Sequence, residues 1–291
     1  MSKYGVQNGI QRYKCAACGK VFQGGVRVEA DKIWQEYTNG KQTYAQLSKK
    51  YGCSIKTIQR KIDSIKAVRQ STFSSVANVL IDTTYFGRQF GVMVFKDSIT
   101  GQVLFKQYVR QETNSLYLLG IEEIVRRGVK IQSVICDGRK GLFQLLGLEV
   151  PMQMCNFHQV AIIRRYLTKK PKMQASKELW EHTLLLVHTD KESFTGGLAA
   201  WHNKWATFLN ERKVDVNGKK RYVHKRLRSA YRSLTTNLPW LFTWYDYMDL
   251  ELPNTTNAID GHFADLKNKL RNHNGLSMAR KMKFIDEFFK A

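Results

Sequence analysis

Apolar and polar positions along this chain follow two different periods, and the places where the period changes divide it. From residue 29 to 66 apolar residues recur at helical spacing. The pattern predicts one amphipathic helix from Glu29 to about Tyr37, with Ile33 and Trp34 facing inward. A second starts at Thr43, a suitable N-cap, and stops at Gly52, where glycine is favoured as a C-terminal cap. Ser54 caps a third, which runs to Asp63 with Ile55, Ile58 and Ile62 inward. From 76 to 167 short β-branched runs dominate, predicting strands at 78–82, 90–96, 103–108, 133–136 and 152–154. Asp97-Ser-Ile-Thr-Gly101 reads as the turn of a hairpin, and a helix is expected at 115–127. Residues 168–252 read as mostly helical, with Trp180, Trp201, Trp205, Trp240 and Trp244 as core aromatics. A last helix is expected to end near Arg271.

These changes give an α/β chain with expected domains at 1–25, 26–70 and 76–291, the last carrying a helical insertion at about 168–252. The total of 291 residues has room for about two domains, and 43% hydrophobic residues allow a sizeable core. No apolar run approaches the roughly 20 residues of a membrane span, and Met1-Ser-Lys-Tyr-Gly-Val6 lacks an apolar signal core, so a cytoplasmic protein without a membrane partner is expected. The formal net charge of +23 points to a polyanionic partner. Basic residues are spread throughout, densest at Lys219–Arg228 and at 267–271, which favours nucleic acid over a membrane surface. On the third predicted helix Lys56, Thr57, Gln59, Arg60 and Lys61 are left facing outward. Arg and Gln suit base edges in a DNA major groove, and Lys and Thr suit phosphates, so 26–70 is read as a DNA-binding helix-turn-helix.

Five cysteines, an odd number, argue against a disulfide framework in the cytoplasm. Cys15 and Cys18 form a CxxC knuckle between two short strands, which is half of a zinc ribbon. A structural Zn²⁺ wants four ligands, and Cys53 is better read as a turn residue. Cys15 and Cys18 are therefore candidate zinc ligands of a partial ribbon. Cys155 and His158, three apart, would share one face of a helix and form a second constellation that alone does not make a metal site.

Three carboxylates carry the candidate chemistry. Asp82 ends the apolar run from Ala77, Asp137 ends the run from Ile131, and Asp260 follows Asn254-Thr-Thr-Asn-Ala-Ile at a helix start, with Glu251 and Asp265 as neighbouring alternatives. Two strand-end acids and one helical acid are a donor set for hard cations, Mg²⁺ or Mn²⁺. A pair of such ions roughly 3.5–4 Å apart activates the nucleophile and stabilises the leaving oxygen at a phosphodiester.

Leu80-Ile-Asp-Thr-Thr84, Cys136-Asp-Gly138, Cys155 with His158, and Thr256-Asn-Ala-Ile-Asp-Gly261 together resemble bacterial insertion-sequence transposases related to the Mutator elements. The N-terminal knuckle and helices resemble the variant with a zinc-binding N-terminus. The resemblance implies a ribonuclease-H-like core with a helical insertion. It implies metal-ligand and catalytic roles for Asp82, Asp137 and Asp260, and a place near them for Cys155 and His158. The family's third acid is usually glutamate; here it is aspartate. The implied partners are terminal inverted repeats and target DNA, with a homodimer or larger assembly on the DNA and a nucleoid-associated location. The alternatives are a catalytically inactive DNA-binding derivative, or a nuclease or resolvase on the same core.

Arg60→Ala is expected to weaken binding to the terminal repeats by roughly 1–3 kcal/mol, the worth of one good base contact. Equal affinity of variant and parent at fixed salt removes Arg60 from the base-reading set.

Overall fold

A computed structural model describes residues 1–23, 29–65, 72–139, 141–146, 150–273 and 275–290. The expected domain edges at 25/26, at 70 and at 291 lie outside the described residues. In chain order the elements are β1 (Ser2–Gln7), β2 (Ile10–Lys14), β3 (Val21–Gln23), α1 (Ala30–Thr38), α2 (Tyr44–Tyr51), α3 (Ile55–Ser64), β4 (Val76–Phe86), β5 (Phe90–Asp97), β6 (Val103–Val109), α4 (Asn114–Arg126), β7 (Lys130–Cys136), α5 (Leu142–Leu146) and β8 (Met152–Met154). They continue with α6 (Asn156–Leu167), α7 (Gln174–Leu184), α8 (Lys191–Asn210), β9 (Arg212–Val214), β10 (Lys220–Tyr222), α9 (Lys225–Leu241), α10 (Thr243–Asp246), α11 (Asn257–Arg271) and α12 (Met278–Phe289). Two compact units result: Met1–Val68 with Lys267–Phe288, and Arg69–Leu266 with Phe289–Ala291. No described helix is long and apolar enough to cross a membrane.

In the first unit β1, β2 and β3 form an antiparallel sheet. Helices α1 to α3 bury Ile33, Trp34, Tyr37, Leu47, Ile58 and Ile62. Thr43 caps α2 through a reciprocal box with Gln46, and Gly52 ends that helix at φ 58°, where a side chain would be strained. Ser54 caps α3 by accepting from Thr57 N. Ile55, expected inside, is 45% exposed; it occupies the first helical position, at the edge of the apolar stripe. The Phe284 ring of α12 packs edge-on against Trp34, and Arg280 grips Asp63 through two hydrogen bonds of 2.9 and 2.7 Å.

The second unit is built on a five-stranded mixed sheet of order β6-β5-β4-β7-β8. The first three strands are antiparallel neighbours, while β7 runs parallel to β4 and β8 parallel to β7. This order and these directions are consistent with a ribonuclease-H-like core. The β5–β6 turn is tied by Asp97, whose carboxylate accepts from Ile99 N, Thr100 N and the Thr100 hydroxyl. Helix α4 lies so close to the sheet that a Cβ at Gly120 would stand 1.9 Å from Cζ of Phe95. The segment after α6 is mostly helical, and it also carries an antiparallel hairpin, β9 with β10, which was not foreseen. Asn217-Gly218, with Gly218 at φ 75°, marks its turn.

The β4–β7 pairing contains a shift. Val76 faces Lys130 and Ala77 faces Ile131, but Asn78 faces Ser133 and Leu80 faces Ile135. One residue of β7 is passed over between Ala77 and Asn78. Because side chains alternate between faces, a one-residue slip changes which face each residue serves. The shifted register is tied by a buried bond of 2.7 Å from Ser133 Oγ to Asn78 Oδ1. Ser133→Ala leaves that oxygen without its donor and is expected to cost about 1–3 kcal/mol in urea unfolding. A loss under about 0.5 kcal/mol, the scale of a neutral surface change, would show that the register holds without the bond.

Candidate active site

Strand β4 does not end at Asp82, as the apolar run suggested. It continues to Phe86, because Thr83-Thr84-Tyr85-Phe86 keeps the strand-forming composition and stays paired with Met93, Val92, Gly91 and Phe90. Asp82 is therefore a mid-strand residue, paired with Val94. By alternation it shares a face with Asn78, Leu80 and Thr84. Asp137 directly follows the last residue of β7. Two residues beyond the Leu80–Ile135 pair, the same parallel register sets Asp137 level with Asp82 on the neighbouring strand. Adjacent strands lie about 4.8 Å apart.

The segment bearing Asp260 is fastened to the same face. Asn78 Nδ2 donates to Leu250 O at 2.7 Å, and Lys96 Nζ, opposite Leu80, donates to Ala258 O at 3.2 Å. Asp260 sits in the first turn of α11, with its N–H donating to Thr256 O at 3.2 Å.

Cys155 joins these pieces. It is fully buried at the N-cap of α6. Its N–H donates to Cys136 O at 2.8 Å, one residue before Asp137. Its sulfur accepts from both the N–H and the hydroxyl of Thr256, each at 3.3 Å. The next N–H, of Asn156, donates to Asn254 O at 2.9 Å. The start of α6 thus clamps 254–256 beside the end of β7. The spacing Cys-x-x-His hinted at a shared helix face but not at this junction.

Electrostatics shows that the groups feel one another. Burial pushes the Asp82 carboxyl up to about 7; His158 and the Thr83 N–H, which donates to Asp82 Oδ1 at 2.7 Å, oppose the rise, while Asp260 and Asp137 add to it. Burial raises the Cys155 thiol, but His158 and Thr256 outweigh it, and the thiol ends lowered. His158 is drawn up to about 9, chiefly by the Cys155 sulfur, against burial and with help from Asp82 and Asp137. Burial, then Asp137, raises Glu112. The Tyr117 hydroxyl stands 3.5 Å from both Glu112 Oε2 and Asp137 Oδ1, and Arg139 approaches Glu112 at 3.9 Å. Glu112 is a member of the cluster that sequence reading missed; it lies in the loop before α4, with no motif to mark it.

Asp82, Asp137, Asp260, Cys155 and His158 are thus neighbours, although among the described residues no three His, Cys, Asp or Glu side chains are gathered closely enough to hold a metal ion. The donor set still fits a hard divalent cation. It is made of carboxylates, two of which, Asp260 and Asp137, add to the rise at Asp82, and among the described residues the buried Asp260 Oδ2 has no hydrogen-bond partner. The zinc expectation does not fit. Cys15 and Cys18 are two thiols, and no further ligand is gathered beside them among the described residues. They form a turn in which Gly19 N bonds Cys15 O, and the Cys18 and Ala17 N–H groups lower the Cys15 thiol. Lys56, Thr57, Gln59, Arg60 and Lys61 lie on α3 in the first unit; Lys56 and Arg60 are exposed, and the other three are half-buried.

No protein-family model matches the chain, and no curated protein does. Solved structures similar to it include the HTLV-2 integrase catalytic core domain in complex with magnesium, at 16% identity over 51% of this chain and 94% of that one, with a TM-score of 0.24. The Drosophila P element transposase strand transfer complex is similar at 9% identity over 94% of both chains, with a TM-score of 0.44. The simian T-cell lymphotropic virus intasome in complex with PP2A regulatory subunit B56 gamma is similar at 12% identity over 71% of this chain and 68% of that one, with a TM-score of 0.23. At these TM-scores, fold and site rest on the chain's own topology and chemistry.

Cys155→Ala removes the acceptor of two buried donors and is expected to destabilise the protein by about 1–3 kcal/mol. Guanidinium unfolding measures it. Wild-type stability in the variant would mean that Thr256 is held by other contacts.

Proposed function

We propose that the chain is the DNA transposase of an insertion sequence. It binds the terminal inverted repeats, cuts them in the presence of Mg²⁺ or Mn²⁺, and joins a 3′-hydroxyl to target DNA. The observation that supports this most is the register that sets Asp82 level with Asp137 on one face of a ribonuclease-H-like sheet, to which the segment bearing Asp260 is also tied. The net charge of +23 supplies the attraction for DNA.

Asp82, Asp137 and Asp260 hold the divalent cations in this reading. Bound there, cations lower the pKa of an attacking water, neutralise charge on the phosphodiester and stabilise the departing oxygen. The chain's other groups orient and balance. His158, held positive beside Cys155, offsets the carboxylates' charge before DNA arrives. The Tyr117 phenol shares its proton between Glu112 and Asp137 and fixes the direction of the Asp137 carboxylate. Arg139, beside Glu112, is placed to meet a strand phosphate. In cleavage, water oxygen forms a bond to phosphorus as the bond to the 3′ oxygen breaks. In transfer, that 3′ oxygen forms a new bond to a target phosphorus and a target 3′ oxygen leaves, so one phosphodiester is exchanged for another.

Residues 26–70 act as the helix-turn-helix that reads the repeats, with α3 in the major groove. Residues 1–25 precede it, and 76–291 carry the catalytic domain with its insertion, with Lys267–Phe288 belonging to the compact unit of the N-terminal residues. The active assembly is at least a dimer, because two ends are joined. The protein works on DNA in the bacterial cytoplasm, at the nucleoid.

The test is a cleavage and strand-transfer assay with Mg²⁺ on the DNA that flanks the reading frame. Wild type is expected to cut and to join, and Asp82→Asn and Asp260→Ala to bind ends but not cut. Cleavage without joining turns the reading toward a nuclease or resolvase. Binding without cleavage by wild type turns it toward an inactive derivative. Normal cutting by Asp260→Ala takes that residue out of the triad.

A further inference from the structure

Within the helical segment, α8, the β9–β10 hairpin and α9 enclose a cleft of about 480 Å³. Its size is that of a site for a small organic ligand, roughly 300–1,000 Å³. One wall is flat: the rings of His202 and Tyr231 stack at 4.5 Å with their planes 9° apart. The other walls are cationic. Lys225, Arg228 and Arg232 lie three and four residues apart on α9, so they share one helix face. Arg228 is built into the structure: its guanidinium lies 3.6 Å from the Tyr222 ring centroid and donates to Leu209 O and Asn210 Oδ1. The side chains of Lys225 and Arg232 are exposed and, among the described residues, make no hydrogen bond or ion pair.

Like charges at this spacing oppose helix formation, and no carboxylate lines the cleft to relieve them. Of the adjoining hairpin's carboxylates, Glu211 pairs with His224 at 2.9 Å, and Asp215 is bonded to Arg221 and to the N–H groups of Asn217 and Lys219, with the Lys225 charge only a weaker, longer-range influence on it. The ligand that suits this arrangement has an anionic end for two unpaired cations and a flat, partly apolar body for the ring wall. We propose that the cleft binds one nucleotide, with its phosphate between Lys225 and Arg232 and its base along Tyr231 and His202. The nucleotide is either an unpaired residue of a DNA strand or a free mononucleotide. The proposal does not depend on the three acids.

The test is fluorescence anisotropy at fixed salt, using a labelled oligothymidylate of about a dozen nucleotides and an abasic strand of the same length. The parent protein is expected to bind the strand with bases about fivefold or more tightly than the abasic one, the worth of one stacked base. His202→Ala removes most of that difference and leaves abasic binding unchanged. Lys225→Ala/Arg232→Ala weakens both strands about tenfold, whereas Lys169→Ala/Lys170→Ala, which removes the same charge elsewhere, costs about twofold or less. Circular dichroism confirms that each variant is folded, and the exposed lysine and arginine pair keeps the test open should His202→Ala unfold. Displacement of the oligonucleotide by dAMP assigns the site to free nucleotides; displacement only by unlabelled strand assigns it to DNA. Equal binding of the two strands by the parent protein, or equal losses in the two double variants, overturns the proposal.

Discussion

One residue passed over in the pairing of β4 with β7 decides where the carboxylates of this protein stand. Before the shift, position n of β4 faces n+54 of β7; after it, n+55. Only the second relation sets Asp82 level with Asp137; under the first, the buried Cys136 would stand there. Alternation already opposes a slip by one, which would turn Val134 and Cys136 out of the apolar core, and a polar anchor adds to it. The buried Ser133–Asn78 bond supplies it, since a slip would strand both polar groups in the core. Asn78 also donates to Leu250 O, so the residue that fixes the register also fixes the segment that leads to Asp260.

Bringing carboxylates together on a covered sheet face costs stability, and the fold shows how the cost is contained. Asp82 takes one backbone N–H and stands near His158, which Cys155 draws toward its charged form. Asp137 and Glu112 share the Tyr117 phenol, and Arg139 lies beside Glu112. Asp260 keeps one buried oxygen with no partner. The compensation is partial, which is the condition of a site that takes up positive charge from outside. The excess of cations elsewhere in the chain does not substitute for it, because exposed lysines act through water and are screened within about a Debye length.

The sequence carried much of the fold, because its signals there are local. Thr43, Gly52 and Ser54 act within a few residues of themselves, and the β-branched runs mark strands wherever they occur. The sheet order did not follow from the run of elements, which gives only an α/β class; it came with the family resemblance. What escaped has a physical reason in each case. Asp82 looked like a strand end because a polar residue interrupts an apolar run, but the pairing of 83–86 with β5 outweighs that interruption. Glu112 belongs to the acidic cluster only through the path of a loop, and no spacing encodes that. The β9–β10 hairpin is three residues a side and exposed, so its alternation is too short to read. Lys267–Phe288 fall in one unit with the N-terminal residues, a long-range association that periodicity does not contain. Asp260 entered through the Thr-Asn-Ala-Ile-Asp-Gly run and its family resemblance, not through any spacing to the other acids.

That resemblance leads one to expect glutamate where this chain has aspartate, and the clamp at Cys155 bears on the difference. Aspartate reaches one methylene less, so its backbone has to be held closer to the site. Here Thr256 is fastened by two bonds to the Cys155 sulfur, and Asn254 by its carbonyl to Asn156 N. Asp260 N bonds Thr256 O, so the acid lies one helical turn from the fastening. A turn is a rigid connector, with a rise of about 5.4 Å. The position of the carboxylate is therefore set by the clamp, with little freedom left to the backbone between them. Cys155 in turn hangs from Cys136 O, next to Asp137. Asp137 and Asp260 are linked through Cys136, Cys155, Thr256 and one turn of helix, so in the proposed function this series of bonds is what would bring the shorter third side chain to the metal site.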